Sequence, residues 1–209
     1  MFKNIGYFIS RTCFEIFIRV NFKLRFHGKE NIPKPPFIAT SNHVSYLDPP
    51  AVGIACGKYP LDFMAKKELF DSKFGRWWCN WVNCIEVKRG ENSVKSLKEA
   101  LERLKKGRSV GIFPEGTRSE DGNLQEAKRG VGFLIAKAKV PVVPAYVSGT
   151  EKAMPKGGGI KRGTEINVYV GEPILPEEFN ALVKEKDYGA VANMLMDRIA
   201  AIKEKVDKN

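Results

Sequence analysis

Short apolar runs alternate with longer stretches of helical periodicity along most of the chain, and this alternation restricts the fold more than any other feature. In the clearest helical stretch, residues 93–106, apolar side chains recur every three or four positions and Gly107 marks the end. Such alternation predicts an α/β domain with a mostly parallel central sheet flanked by helices. The predicted strands are residues 37–41, 61–64, 84–87, 110–113, 142–147 and 166–170, and the other predicted helices are residues 130–139 and 188–206.

An amphipathic helix is predicted ahead of this domain, over residues 1–22. The first 30 residues contain six basic and two acidic side chains. A cationic helix with an apolar face suits the surface of a bilayer, although an ordinary helix docked on its own domain has the same pattern. We therefore divide the chain into a membrane-interface helix, residues 1–22, and one folded domain, residues 23–209. The apolar face consists of Phe2, Ile5, Ile9, Cys13, Ile16, Phe17 and Val20.

The cysteines and histidines predict neither a disulfide framework nor a metal site. None of the four cysteines forms a C-x-x-C pair, and the two histidines, His27 and His43, add no metal-ligand cluster. Free thiols in a reducing compartment are therefore expected. The chain shows no secretory signal and no uncharged apolar stretch of about 20 residues, so we expect no membrane-spanning helix.

The excess of basic residues limits the partners to anionic ones. The chain has 35 basic and 24 acidic residues and a formal net charge of +11. This charge favours anionic lipid headgroups, phosphorylated small molecules, acidic carrier proteins or nucleic acid. We expect no nucleic acid partner, because the basic residues are dispersed and form no recognised binding module.

Two polar clusters follow predicted strands, and in sheets of this kind ligands bind beyond the carboxyl ends of the strands. The first cluster contains His43 and, five positions later, Asp48. Neither a helix nor a strand brings side chains at this spacing together, so the chain has to turn between them. After such a turn the carboxylate would fix the imidazole tautomer and leave the other ring nitrogen as a base. The alternatives are a helix N-cap at Asp48 and a structural histidine.

The second cluster, F-P-E-G-T-R-S at residues 113–119, has the composition of an anion site. Gly116 can adopt positive φ and lets a ligand approach the backbone closely. Arg118 offers a planar fork of donors that matches phosphate oxygens, and Thr117 adds a hydroxyl donor. Glu115 is expected to hold Arg118 or to accept a hydrogen bond from a ligand hydroxyl. The alternative is a tight turn held by a Glu115–Arg118 ion pair.

In order and spacing, these blocks resemble the glycerolipid acyltransferase family, specifically the bacterial 1-acyl-glycerol-3-phosphate acyltransferases. Residues 42–48 match N-H-x-x-x-x-D, and residues 113–119 match F-P-E-G-T-R-S without a substitution. A segment from F-M-A-K at residues 63–66 to Arg89, and V-P-V-V-P at residues 140–144, complete the likeness. Lys88 precedes Arg89, where the family usually has an acidic or small residue.

The resemblance implies that residues 23–209 are an acyltransferase domain. It implies transfer of a fatty acyl group from acyl carrier protein (ACP) or coenzyme A (CoA) to lysophosphatidic acid, without a metal or redox cofactor. His43 would deprotonate the acceptor hydroxyl directly, without an acyl-enzyme, and Asp48 would orient His43. The implied substrate-binding residues are Lys66, Arg89, Glu115, Gly116, Thr117 and Arg118.

Within the same family, other acceptors are the alternative reading. These are glycerol-3-phosphate, another lysophospholipid and a lyso-ornithine lipid. The expected location is the cytoplasmic face of the membrane, as a peripheral or monotopic protein that contacts an anionic membrane surface.

Overall fold

A computed structural model of the protein describes residues 4–87, 93–155 and 158–208. These residues form seven strands, eight α-helices and two short 3-10 helices, Lys29–Asn31 and Lys67–Phe70. The strands are β1 (Lys23–His27), β2 (Ile38–Ser41), β3 (Leu61–Lys66), β4 (Ile85–Val87), β5 (Ser109–Ile112), β6 (Val142–Ser148) and β7 (Glu165–Val170). The helices are α1 (Ile5–Asn21), α2 (Asp48–Ala55), α3 (Lys73–Trp81), α4 (Ser93–Lys105), α5 (Arg129–Ala138), α6 (Thr150–Ala153), α7 (Pro176–Lys184) and α8 (Tyr188–Asp207).

The strands form one sheet in the order β1-β7-β6-β2-β5-β3-β4. Strands β6, β2, β5, β3 and β4 are parallel to one another. Strand β7 is antiparallel to β6 and parallel to β1. The carboxyl ends of the five parallel strands therefore lie at one edge of the sheet, and those of β1 and β7 lie at the opposite edge. The predicted α/β fold with a mostly parallel sheet is confirmed.

The sequence pattern did not delimit five elements: β1, α2, α3, α6 and α7. Strand β1 lies at the edge of the sheet, and its side chains alternate between exposed and half-buried. Only Leu24 and Phe26 supply apolar surface there, which is too short a pattern to identify a strand. Helix α7 begins at Pro176, whose fixed φ suits the first turn of a helix.

The two faces of the sheet carry different helices. On β2, Ile38 packs into an apolar cluster with Leu134 of α5 and Leu195 of α8. Its neighbours Phe37 and Ala39 belong to a second cluster, with side chains from α1 and α2. This division follows from the alternation of side chains along a strand. Both faces are thereby covered, as a parallel sheet requires.

Helix α1 docks on the domain and still leaves an apolar stripe in solvent. Gly6, Tyr7, Ser10 and Ile18 are buried against the domain. The opposite stripe, formed by Ile5, Ile9, Cys13, Ile16 and Val20, is exposed. The docked face is that of an ordinary helix packed on its own domain, and the membrane-interface role of the exposed stripe stays a prediction. Within the described residues, no helix has the length and apolar character needed to cross a membrane.

Candidate active site

The two polar clusters meet at the edge of the sheet where the parallel strands end. Strands β2 and β5 are neighbours and run in the same direction, so the loops that follow them emerge side by side. The amide of Ser119 donates to the carbonyl of His43 over 2.7 Å, and this hydrogen bond joins the two loops. The amide of His43 donates to Oε1 of Glu115 over 3.1 Å. Residues about 70 positions apart in sequence therefore form one site.

The chain turns between His43 and Asp48 and brings their side chains into contact. Nδ1 of His43 lies 2.9 Å from Oδ2 of Asp48. The amides of Val44 and Ser45 each donate to the same oxygen over 2.7 Å. Asp48 is fully buried at the start of α2, where backbone amides and the helix dipole stabilise its negative charge. Two backbone donors and the helix end therefore fix the carboxylate that faces the imidazole.

Thr150, which sequence reasoning did not identify, holds the second oxygen of this carboxylate. Its hydroxyl donates to Oδ1 of Asp48 over 2.6 Å, and the side chain is fully buried. Thr150 begins α6, just beyond the carboxyl end of β6. Because β6 lies next to β2, the two chain segments converge although they are 102 positions apart. No spacing rule within the sequence indicates this contact.

The imidazole of His43 is held by stacking as well as by Asp48. Its ring lies 4.2 Å from the ring of Phe113, with an angle of 24° between the planes. The side chain is 16% exposed, so the ring remains in contact with solvent. A carboxylate only accepts hydrogen bonds, so the neutral imidazole carries its hydrogen on Nδ1 and leaves Nε2 as an acceptor. This geometry is that of a general base with an orienting acid.

Glu115 is buried beside this pair, and its expected ion pair with Arg118 is not found in the described part of the chain. Its Oε1 accepts from the amide of His43, while Oε2 is buried without a hydrogen-bond partner among the described residues. The pKa of Glu115 is raised to about 7, mainly by burial and to a smaller extent by the charge of Asp48, and the amides of His43 and Gln125 act in the opposite direction. Of the two roles expected for Glu115, holding Arg118 is therefore not realised, because Glu115 points into the protein, and acceptance of a hydrogen bond from a ligand hydroxyl stays a prediction.

The remaining residues of the second cluster surround the turn after β5. Gly116 has a φ of 69° and its amide closes the turn on the carbonyl of Phe113 over 3.0 Å. Nζ of Lys66, at the end of β3, lies 3.4 Å from the hydroxyl of Thr117. The guanidinium of Arg118 lies 3.8 Å from the centre of the Tyr46 ring, an exposed residue of the first loop.

Two cationic side chains lie among the residues of this site. Lys66 and Arg118 carry the positive charges, and both contact residues of the two clusters. Arg89, the third cation predicted for the site, lies outside the described residues. Among the described residues, no group of three or more histidine, cysteine or acidic side chains has the arrangement of a metal site.

A comparison with protein families assigns this site to a known group. The model of the Acyltransferase family matches residues 23–148, which include both clusters and β1 to β6. The chain belongs to the acyltransferase family. The matched range begins at β1 and leaves α1 outside it.

Relatives with the same named activity differ in how much of their length this chain matches. The 1-acyl-sn-glycerol-3-phosphate acyltransferase of Bacillus subtilis is 30% identical over 206 residues, 97% of this chain and 99% of the relative. Chloroplastic 1-acyl-sn-glycerol-3-phosphate acyltransferases of Arabidopsis thaliana and Brassica napus are 35% and 34% identical. This chain spans about half the length of those two relatives, 52% and 54%.

A solved structure has the same fold. The crystal structure of the 1-acyl-sn-glycerophosphate acyltransferase of Thermotoga maritima matches with a TM-score of 0.72 and 28% sequence identity. The match covers 97% of this chain and 77% of the Thermotoga chain. This chain therefore shares the overall fold of that acyltransferase.

Proposed function

We propose that this protein transfers a fatty acyl group from an acyl thioester to the sn-2 hydroxyl of 1-acyl-glycerol-3-phosphate, which yields phosphatidic acid. The observation that carries the proposal is the hydrogen-bonded pair of His43 and Asp48 joined to the loop that bears Arg118. The pair supplies a base for a hydroxyl, and the loop supplies a cation for a phosphate. The names of the relatives support this choice of acceptor.

In the proposed reaction, Nε2 of His43 takes the hydroxyl proton while the acceptor oxygen attacks the thioester carbonyl. The new C–O bond forms as the carbonyl π electrons move to oxygen, and collapse of this intermediate breaks the C–S bond. The imidazolium then returns the proton to the departing thiolate. Asp48 stabilises the imidazolium during this cycle. The thioester supplies the activation, so the scheme involves no acyl-enzyme and no metal or redox cofactor.

Arg118 and Lys66 are the proposed ligands of the acceptor phosphate. A guanidinium matches two phosphate oxygens at once, whereas an ammonium acts as a point charge. The resemblance adds Arg89 to this set. Thr117 donates through its hydroxyl, and Gly116 keeps the turn open because a Cβ there would lie 3.2 Å from Cγ of Lys128. Glu115 anchors the loop through the amide of His43.

The test is acyl transfer by the purified protein, with labelled acyl-CoA and acyl-ACP supplied separately and phosphatidic acid measured by mass spectrometry. His43→Ala is expected to lower turnover about a hundredfold to ten-thousandfold, since general-base catalysis contributes roughly 10² to 10⁴ in rate. His27→Ala is the matched control, because His27 lies on β1 and stacks on Tyr169. A loss of less than about tenfold in His43→Ala would exclude His43 as the base.

The acceptor is tested by competition among lysophospholipids. Lysophosphatidic acid, glycerol-3-phosphate, lysophosphatidylcholine and a lyso-ornithine lipid are compared at equal concentration with one donor. A phosphate monoester carries about two negative charges and suits two or more cations, so lysophosphatidic acid is expected to have the highest kcat/KM. A neutral lyso-lipid that performs equally well would overturn the choice of acceptor while leaving the acyl transfer intact.

Residues 1–22 are proposed as a membrane-interface helix on the acyltransferase domain, residues 23–209. Ile16 and Val20 are 58% and 76% exposed, and such apolar exposure along a helix suits an anionic bilayer surface at the cytoplasmic face. The variant Ile9→Ser/Ile16→Ser is expected to lower partition into anionic vesicles about tenfold, measured by co-sedimentation. Both side chains point away from the domain, so folding is unaffected. Unchanged partition would contradict the assignment.

A further inference from the structure

Helix α3 contains all three tryptophans of the chain, and its outward face is aromatic and exposed. Phe74 is 72% exposed and Trp77 is 55% exposed. Positions three apart on a helix lie on the same face, and the two rings are 5.8 Å apart. Trp81 continues this face one turn further, with its ring stacked 5.3 Å from Trp77. Large aromatic groups in solvent carry a free-energy cost unless a partner covers them.

The opposite side of α3 is fixed to the protein, so the exposed aromatic face is presented in a defined position. The hydroxyl of Ser72 caps the helix by accepting from the amide of Gly75 over 2.9 Å. Cys79 is fully buried. The ring of Trp78 packs edge-on against Phe14 of α1, with the centres 6.2 Å apart.

A second contact joins α3 to α1. Helix α1 approaches so closely that a Cβ at Gly6 would lie 2.5 Å from the carbonyl oxygen of Trp81. The aromatic face therefore belongs to a helix in direct contact with the helix proposed as the membrane interface.

The charges around this aromatic face match an anionic lipid surface. Residues 66–81 contain four basic and two acidic side chains. Among the basic ones, Lys67, Lys73 and Arg76 are exposed, and the last two are next to Phe74 and Trp77 in sequence. Tryptophan prefers the boundary between headgroups and acyl chains, and basic side chains bind the anionic headgroups there.

A second copy of the chain fits this surface less well than a bilayer does. A stable protein interface buries about 1,200–2,000 Å² in total and depletes charge at its centre. The aromatic face of α3 consists of two well-exposed side chains with charged residues between and beside them. Two exposed rings with charged neighbours suit a shallow insertion into a lipid interface better than the centre of a protein interface.

We propose that α3 binds the surface of an anionic bilayer directly, with Phe74 and Trp77 entering the interface beside the acceptor site. This inference rests on the proposed function, since it assigns the α3 contact to delivery of a membrane-held acceptor. Strand β3 ends at Lys66, whose ammonium contacts Thr117, and α3 begins seven residues later at Lys73. Docking of α3 thus holds the phosphate-binding loop at the level of the lipid headgroups.

Tryptophan fluorescence tests the contact directly, because every tryptophan of the chain lies on α3. The full-length protein is mixed with phosphatidylglycerol vesicles in which part of the lipid carries bromine on its acyl chains. Bromine quenches only indole groups that reach the acyl-chain boundary. Quenching is expected in the native protein and is expected to fall in Trp77→Phe, which keeps an apolar ring and leaves only the less exposed Trp78 and Trp81. No quenching, or equal quenching in Trp77→Phe, would overturn the proposal.

The strength of the contact is measured with Phe74→Ser/Trp77→Ser by co-sedimentation with the same vesicles. Loss of the two rings is expected to lower partition at least about tenfold. The matched control is Val94→Ser/Ile160→Ser, which removes side chains that are 52% and 47% exposed outside this surface. Equal partition of the two double variants, or a change from dimer to monomer on mutation of α3, would refute binding to the bilayer.

A comparison of two acceptors separates this inference from the proposed function. The α3 double variant is expected to acylate a water-soluble, short-chain lysophosphatidic acid like the native protein and to lose about tenfold in rate on long-chain acceptor in vesicles. Equal losses on both acceptors would contradict a role in membrane delivery. Absence of turnover by the native protein on either acceptor would refute the proposed function, while the fluorescence result would still decide whether α3 contacts lipid.

Discussion

The Glu115 carboxyl should make the free energy of unfolding depend on pH, and Glu115→Gln should remove that dependence. Burial, and secondarily the charge of Asp48, raises the pKa of Glu115 from 4.5 to about 7. Between these values the folded chain keeps a proton that the unfolded chain has lost. The contribution to stability is full below pH 4.5 and is lost as the pH rises through about 7. At about 1.4 kcal/mol per pH unit, the loss is about 3 kcal/mol.

The assay is chemical denaturation of both proteins at pH 5, 6, 7 and 8, followed by circular dichroism. Glutamine keeps the shape of the side chain and an oxygen that accepts from the amide of His43, but it has no proton to lose. The stability of the native protein relative to the variant is expected to fall by about 2–3 kcal/mol from pH 5 to pH 8. Glu172→Gln, at an exposed position, controls for the removal of one charge.

A stability difference that stays constant over this range would refute the reasoning. It would mean that Glu115 is ionised throughout, and hence that water or a cation reaches its Oε2 atom. A difference that grows in the opposite direction would mean that the ionised form is the one stabilised by folding. Either result would also change the picture of the site, because the carboxyl lies beside His43 and Asp48.

Three further changes test other contacts. Thr150→Val is expected to lower kcat about tenfold to a hundredfold and to shift the pH profile of kcat, because a hydrogen bond to buried Asp48 contributes about 1.5–3 kcal/mol. Thr150→Ser keeps the hydroxyl and should restore both kcat and its pH profile. A serine variant as impaired as the valine variant would contradict the role of the Thr150 hydroxyl. Arg118→Ala is expected to raise the KM for lysophosphatidic acid about a hundredfold and to leave the KM for the acyl donor unchanged. The control variant Arg25→Ala should change neither KM. Equal effects of Arg118→Ala on both KM values would exclude phosphate binding by Arg118. Asp62→Asn is expected to lower the free energy of unfolding by about 3–5 kcal/mol, because two arginines contact the buried carboxylate of Asp62. Denaturation curves that coincide with those of the native protein would refute this loss of stability.

The sequence was sufficient for the layers of the fold and for the edge at which the site lies. The buried strands are continuous apolar runs bounded by polar loops, so their positions could be read from the pattern alone. Strand β1 was not predicted, because an edge strand buries only one side of its chain and its apolar pattern is short. Its pairing with β7, at the far end of the chain, depends on packing that no local pattern encodes.

For the site, sequence reasoning established that a turn had to join His43 to Asp48 but could not describe it. The two amides that bind the carboxylate belong to that turn, and their direction depends on backbone angles. Thr150 and Tyr46 contact site residues because the fold brings their strands and loops together. The sequence around a single hydroxyl or ring does not indicate such a role. The sequence also left open whether Glu115 holds Arg118, because residues three apart in a turn can face the same side or opposite sides.

The side chain of Asn42 holds the backbone in place where the chain leaves the sheet before His43. Strand β2 ends at Ser41, yet the side-chain amide of Asn42 both donates to the carbonyl of Val147 over 3.0 Å and accepts from its amide over 2.8 Å. A side chain thus replaces one rung of the ladder between β2 and β6. The backbone can therefore turn away from the sheet after Ser41 while the Asn42 side chain keeps it bound to β6. Aspartate has the length but no donor, and glutamine has the donor but an extra carbon, so asparagine is demanded at this position by architecture, independently of any contact with substrate.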